Sequence, residues 1–310
     1  MRNKCFRILS AVVSRLFFSL HASIMVFVLF MLTKNLYFLL MLISDLLLFI
    51  EMTITLQFTK KGEWKWFSPM VFIYLCTVLP SIIVAELQLF ETRVKLSNST
   101  HYECMDYGYT EYAHFLQGLE ETVILVLVIG RWLMPKGGLT RDQLSQLLLT
   151  YLALGADILD VLQLIKETKI NTNRNVTIVG LCLFSWAILQ FTIVLTQTAS
   201  PSSQKTSVTE ESLTTSATKI LRPCCDTEIW SVIITVGMQD GPFLLYRVYL
   251  ATAEGVFNES MTFFICKNTL TVIIQMYRVV VNLYQKKRDR KIALKSYIDT
   301  GISQTDMSVT

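Results

Sequence analysis

Two stretches of this chain place ionisable groups where apolar residues dominate. The first, "QLSQLLLTYLALGADILD", sets Gln143, Gln146, Thr150, Ala153, Asp157 and Asp160 at steps of 3, 4, 3, 4 and 3. That spacing keeps all six on one face of a helix, with Leu, Ile and Val on the others. The second, "ITVGMQDGPFLLYRVYL", holds Gln239, Asp240, Gly241, Pro242 and Arg247 between apolar flanks. Carboxylates one turn apart repel each other and require a cation, a proton or water. Pro242 removes a backbone donor and bends a helix, and a broken helix inside a membrane frees carbonyls that transporters use to hold ions. The expected chemistry is cation or proton binding. Ordinary helix packing and a Pro kink that only shapes the bundle account for the same residues without a ligand.

A third stretch repeats the pattern, with Asn268, Thr271, Gln275, Arg278 and Asn282 at steps of 3, 4, 3 and 4. The elements that must carry these residues are membrane spans. The apolar share is 52% and the charged share 17%, and the apolar residues come in blocks, the mark of transmembrane helices. Eight blocks of about 20 residues run over 8–32, 36–58, 67–90, 115–134, 143–165, 176–198, 229–250 and 262–284. The first is too long for a signal-peptide core and reads as an uncleaved signal anchor. The predicted fold is all-α, a polytopic membrane helix bundle of about eight transmembrane helices. Residues 1–198 hold spans 1–6, 199–228 a cytoplasmic loop, 229–284 spans 7 and 8, and 285–310 a basic cytoplasmic tail. The loop has 11 Ser or Thr among residues 199–219, too polar to bury a core.

With both termini in the cytoplasm, inner segments carry 17 Lys and Arg and outer ones 6, as the positive-inside rule requires. The three N-glycosylation sequons, at Asn98, Asn175 and Asn258, then all fall outside. So do Cys104 and Cys266, where a disulfide is permitted. Cys5, Cys224 and Cys225 lie beside the inner membrane face, where palmitoylation or plain thiols are both consistent. The tail "QKKRDRKIALK" fits attraction to anionic inner-leaflet lipid or a simple stop-transfer anchor.

Under this orientation the outer half of the bundle gathers Asp45, Glu86, Glu120, Glu121, Asp157, Asp160 and Asp240 against one base, Arg247. Arg247 is expected to pair with Glu86 or with Asp157 or Asp160, because an unpaired charge in a membrane is costly. Two intramembrane aspartates such as Asp157 and Asp240 could share a proton as an aspartic dyad. The Gly-flanked aspartate of intramembrane aspartyl proteases, a nucleophile elbow, a metal-ligand cluster and a cofactor motif are all missing, however, and there are only three His, so catalysis is not expected. A net charge of +4 without a basic soluble patch speaks against nucleic acid. Two functional classes remain: transport linked to a cation or proton, and a receptor, scaffold or assembly partner. The plasma membrane and an endomembrane fit equally.

The stretches "KWFSPMVFIYLCTVLPSIIVAELQLFE", "LTRDQLSQLLLTYLALGADILD" and "MQDGPFLLYRVYL" together resemble the transmembrane protein 26 family. The resemblance implies a multi-pass integral membrane protein and transfers no functional residue.

The orientation is testable. Tags at both termini should stay inaccessible in intact cells, and a C-terminal tag accessible from outside would refute the assignment. A glycosidase-sensitive mass shift should be lost in Asn98→Gln.

Overall fold

The computed structural model describes residues 2–59, 64, 67–98, 107–134, 140–167, 170, 173–193, 232, 234 and 236–307. The Ser/Thr-rich loop, Cys104, Cys224 and Cys225 lie outside them, and of the side chains of Cys5 and Asn98 nothing is described.

Among the described residues eight α-helices follow one another: α1 (Arg2–Thr33), α2 (Leu42–Phe58), α3 (Pro69–Asn98), α4 (Tyr107–Leu133), α5 (Arg141–Ile165), α6 (Arg174–Ile188), α7 (Gly241–Ala253) and α8 (Glu259–Met307). Short 3-10 turns precede α2 and extend α6, and a π-helical turn, Val236–Asp240, leads into α7. Seven of the described helices are long and apolar enough to cross a membrane. The seventh predicted span, 229–250, is not among these seven; it is described mainly as the π turn and α7. The chain is an all-α polytopic bundle.

Local sequence sets the ends. Lys34 adopts a left-handed backbone, φ 56°, which stops α1. The Asn35 side chain then accepts from the Tyr37 N–H and starts the 3-10 turn. Thr140 and Gln143 form a reciprocal capping box at the start of α5. Gln143 therefore caps the helix, which is not the role expected of it as the first member of a polar ribbon. The Ser68 N–H donates to the Thr192 carbonyl at 2.8 Å, so the start of α3 and the end of α6 share one end of the bundle.

Helix α1 is the axis of the first half and packs on α2, α3 and α4. Its buried face runs through Ala11, Ser14, Phe18, Ala22, Met25 and Leu29. The Phe18 ring meets Tyr74 of α3 edge-on at 4.7 Å. Helix α5 joins α4 to α6. Lipid tails are as apolar as Leu, so burial alone does not pull these helices together; close backbone approach does. Gly130 of α4 lies under the Phe18 ring and Gly155 of α5 under Ile124 of α4, with no room for a Cβ at either.

Gly155→Ala should therefore cost about 1–3 kcal/mol through overpacking. The lowered thermal midpoint of the purified protein should recover in part when Ile124→Ala is added. Additive losses in the double variant would show that these two residues do not form the contact.

Candidate functional site

The break before α7 follows from "VGMQDGP". In a π turn each carbonyl accepts from the N–H five residues on. A Cβ on Gly241 would stand 2.8 Å from the Val236 carbonyl oxygen, so the turn needs glycine there. The next carbonyl in the series, that of Gly237, would need a donor at position 242, and Pro242 has none. The indole N–H of Trp186 on α6 donates to it instead, at 3.4 Å. The turn thus delivers Gln239 and Asp240, both buried, into the contact between α5, α6 and α8.

Gln239 is held on two sides. Its Nε2 donates to the Leu154 carbonyl at 3.2 Å and to Asp157 Oδ2 at 3.4 Å, and its Oε1 accepts from Gln190 at the end of α6. Asp157 also receives the Lys267 ammonium from α8. Asp160, one turn on, accepts from Arg247 Nη2 at 2.7 Å and from the Ser260 hydroxyl at 3.2 Å. Of the acids expected to neutralise Arg247, Asp160 is the one in contact. Arg247 is fully buried. Its Nε and Nη1 have no hydrogen-bond partner among the described residues, and its guanidinium carbon lies 4.7 Å from the Phe264 ring and 5.6 Å from that of Phe243. Aromatic faces stabilise a cation in this way.

Asp157 and Asp160 thus each have a base of their own, and neither needs an outside cation. Asp240 has none. It is buried, and among the described residues it makes no hydrogen bond or ion pair, though Asp157, Lys267 and Arg247 lie within electrostatic reach. The cluster holds three carboxylates and two cations.

A second charged cluster ties α3, α4 and α5. Lys166, just past the end of α5, reaches Glu120 Oε2 at 2.6 Å and Glu86 Oε1 at 3.0 Å, and Arg93 approaches Glu86 at 3.5 Å. Both glutamates are buried. Burial opposes the Lys166 charge, but the two carboxylates outweigh it and raise its pKa. The expectation of a single base facing the acids is therefore corrected: Lys166, Lys267 and Arg93 share the work with Arg247. Lys166 and Arg93 lie beyond the apolar blocks 143–165 and 67–90, and their long side chains reach the buried glutamates from there.

The remaining acids differ. Glu121 is half-buried and accepts from Gln117 at 3.1 Å. Asp45, on α2, accepts from the Ser23 hydroxyl at 2.9 Å and has no base in contact among the described residues. Arg15 and Glu51, a pair not singled out in the sequence, meet at 3.0 Å inside the bundle, with Thr55 on the same carboxylate. The polar ribbons are not continuous buried faces: Gln146, Ala153 and Arg278 are exposed, while Asp157 and Asn268 are buried. Among the described residues no group of three His, Cys, Asp or Glu could hold a metal.

Of the sequons, Asn175 is exposed at the start of α6. Asn258 caps α8, its Oδ1 accepting from the Met261 N–H at 2.9 Å. Cys266 is exposed and forms no disulfide among the described residues; its expected partner Cys104 is outside them.

A family model described as Transmembrane protein 26 matches residues 5–278. No solved structure matches the chain.

Arg247→Met should leave Asp160 without its base and cost about 3–5 kcal/mol. The loss of monodisperse protein in detergent should be largely reversed by adding Asp160→Asn. An Arg247→Met protein as stable as the parent would show the pair to be dispensable.

Proposed function

The chain belongs to the transmembrane protein 26 family, and from that premise we propose that this multi-pass membrane protein performs cation- or proton-linked transport, with Asp240 as the residue that takes the ion. The observation that carries this reading is the excess of one carboxylate at the break in the membrane. Asp157 and Asp160 are matched by Lys267 and Arg247; Asp240 is not.

A buried carboxylate has two ways to shed its charge where water is scarce: it takes a proton or it takes a cation. Asp240 is also the residue from which α7 starts. Burial and the Asp157 charge disfavour the ionised form, against the nearby Lys267 and Arg247 that favour it. Those opposed influences suit a group that gains and loses an ion. Loading Asp240 would change the field at Asp157, Lys267 and Arg247, and so the strength of the contacts between α5, α7 and α8. The same reading keeps both termini cytoplasmic and the Asp240 end of α7 near mid-membrane.

A non-catalytic receptor, scaffold or assembly role is the second reading. The observation that favours it is α8, the least buried of the seven described spans, with Arg278 exposed along it.

Purified protein in liposomes decides between them. Under imposed proton, sodium or potassium gradients the wild type should move at least one of these ions, and Asp240→Asn should abolish the flux while retaining the elution profile of the parent. No flux with any of the three, or full flux in Asp240→Asn, would overturn the transport role of Asp240.

A further inference from the structure

Helix α8 is unlike the other spans. It packs chiefly on α7 and the π turn, and among its described residues only Met261 and Asn268 are buried. Beyond Asn268 it turns apolar side chains outward: Leu270, Ile273, Ile274, Tyr277 and Val280 are all exposed, as the lipid-facing side of a span must be. Arg278 stands among them and is exposed too. It lies two turns before Gln285, where the apolar span ends, ~10 Å along the helix axis. Among the described residues its guanidinium meets no carboxylate; its Nη1 donates to Gln275 Oε1 at 3.4 Å. A neutral amide does not balance a charge, and an arginine facing hydrocarbon without a counter-charge is costly.

The same helix supplies a second arginine at the membrane boundary. α8 runs unbroken to Met307, so the residues after Gln285 keep the helical register of Arg278. Steps of 4, 3 and 3 lead from Arg278 to Asn282, Gln285 and Arg288, all within about 80° of Arg278 around the axis. Lys287 falls about 180° away, on the opposite face. Gln285, Lys287 and Arg288 are exposed. A long arginine stem can lie along apolar surface and lift its head to the interface. Arg278 reaching outward and Arg288 reaching back thus bracket the headgroup level of one leaflet, with Gln285 between them. Tyr284, exposed at the same level, is the residue type that settles at a membrane–water boundary.

We propose that this face of α8 binds one anionic phospholipid, its headgroup held between Arg278 and Arg288 in the leaflet that meets the C-terminal end of the span. That leaflet is the inner one when both termini are cytoplasmic. The guanidinium fork matches phosphate oxygens through two parallel hydrogen bonds, and the phosphate supplies the counter-charge that Arg278 lacks within the chain. The acyl chains continue along the exposed Ile274 and Tyr277. A zwitterionic headgroup cancels its phosphate with its own ammonium and balances the two arginines poorly; a net anionic one does not. A second copy of this chain fits less well. Two-fold pairing within one membrane sets the same residue at the same depth on both copies, so Arg278 would face Arg278. The site shares no residue with the Asp240 cluster and holds whether or not that acid takes an ion.

Native mass spectrometry of the full-length protein in uncharged detergent tests this, with phosphatidylserine, phosphatidylcholine or inorganic phosphate titrated in. The wild type should hold one phosphatidylserine per chain in a saturable step. Phosphatidylcholine should bind about tenfold more weakly, and inorganic phosphate should neither leave an adduct nor displace the lipid. Arg278→Gln should weaken phosphatidylserine binding about tenfold, the loss of one charge-assisted contact. Arg288→Gln, in the part of α8 beyond the span, should weaken it in the same direction and serves if Arg278→Gln fails to fold. Lys287→Gln removes the same charge from the opposite face and should leave binding unchanged. An equal loss in all three variants would reveal diffuse attraction by the basic tail and overturn the site. Equal binding of the two lipids, displacement by inorganic phosphate, or full binding in a folded Arg278→Gln protein would overturn it as well.

Discussion

A charge inside a bilayer must find its opposite, and in this chain that requirement converges on α5. From one helix, Asp157 and Asp160 reach toward α8 and α7, while Lys166, one residue past its end, reaches toward α3 and α4. The helix that sits between α4 and α6 in the packing order is thus also the electrostatic hinge between the two halves of the bundle. Hydrophobic burial does little for helices already in lipid, so such pairs carry more of the specificity than they would in a soluble core. Each pair removes the alternative of a lone ion in hydrocarbon, and that alternative is what makes truncating one partner destructive.

Close packing supplies what the ion pairs do not. Gly130, Gly155 and Gly180 let α1 meet α4, α4 meet α5 and α5 meet α6 with side-chain atoms where a Cβ would stand. Those contacts fix the spacing over which Lys166 must span from α5 to Glu86 and Glu120. They also bring Phe18 and His21 of α1 against Tyr74 and, for His21, Thr122. A helix moved outward by the width of a methyl group would lengthen the His21 contacts beyond hydrogen-bonding reach. The glycines and the polar network are in that sense one design.

The spans were legible because an apolar block of membrane length has few other meanings, and the predicted bounds at 36–58 are those of the second described span. The acids were legible for the same reason, as polar exceptions in apolar runs. Their partners were not. Lys166 and Arg93 lie outside or at the edge of the apolar blocks, and sequence position alone does not show that a four-carbon stem folds back along a helix. The helical spacing of Gln143 suggested a ribbon, whereas the capping pattern Thr140-x-x-Gln143 already held the better explanation. His21 gave no signal at all. A single His in a long apolar helix acquires meaning only when α3 and α4 place Tyr74 and Thr122 on its two nitrogens.

Once the pairs are matched, the buried acids divide. Glu51, Glu86, Glu120 and Asp157, and with them the half-buried Asp160, each touch at least one Lys or Arg. Asp45 and Asp240 are the two buried carboxyls among the described residues that touch none. They lie in different halves and have different surroundings. Asp45 has the Ser23 hydroxyl on one oxygen and no hydrogen-bond partner on the other among the described residues. Asp240 stands at the π turn ahead of α7, with Lys267 and Arg247 near but bound to other acids. The shortage of cations thus falls on two separate sites, and the proposed transport role rests on the one at the break before α7.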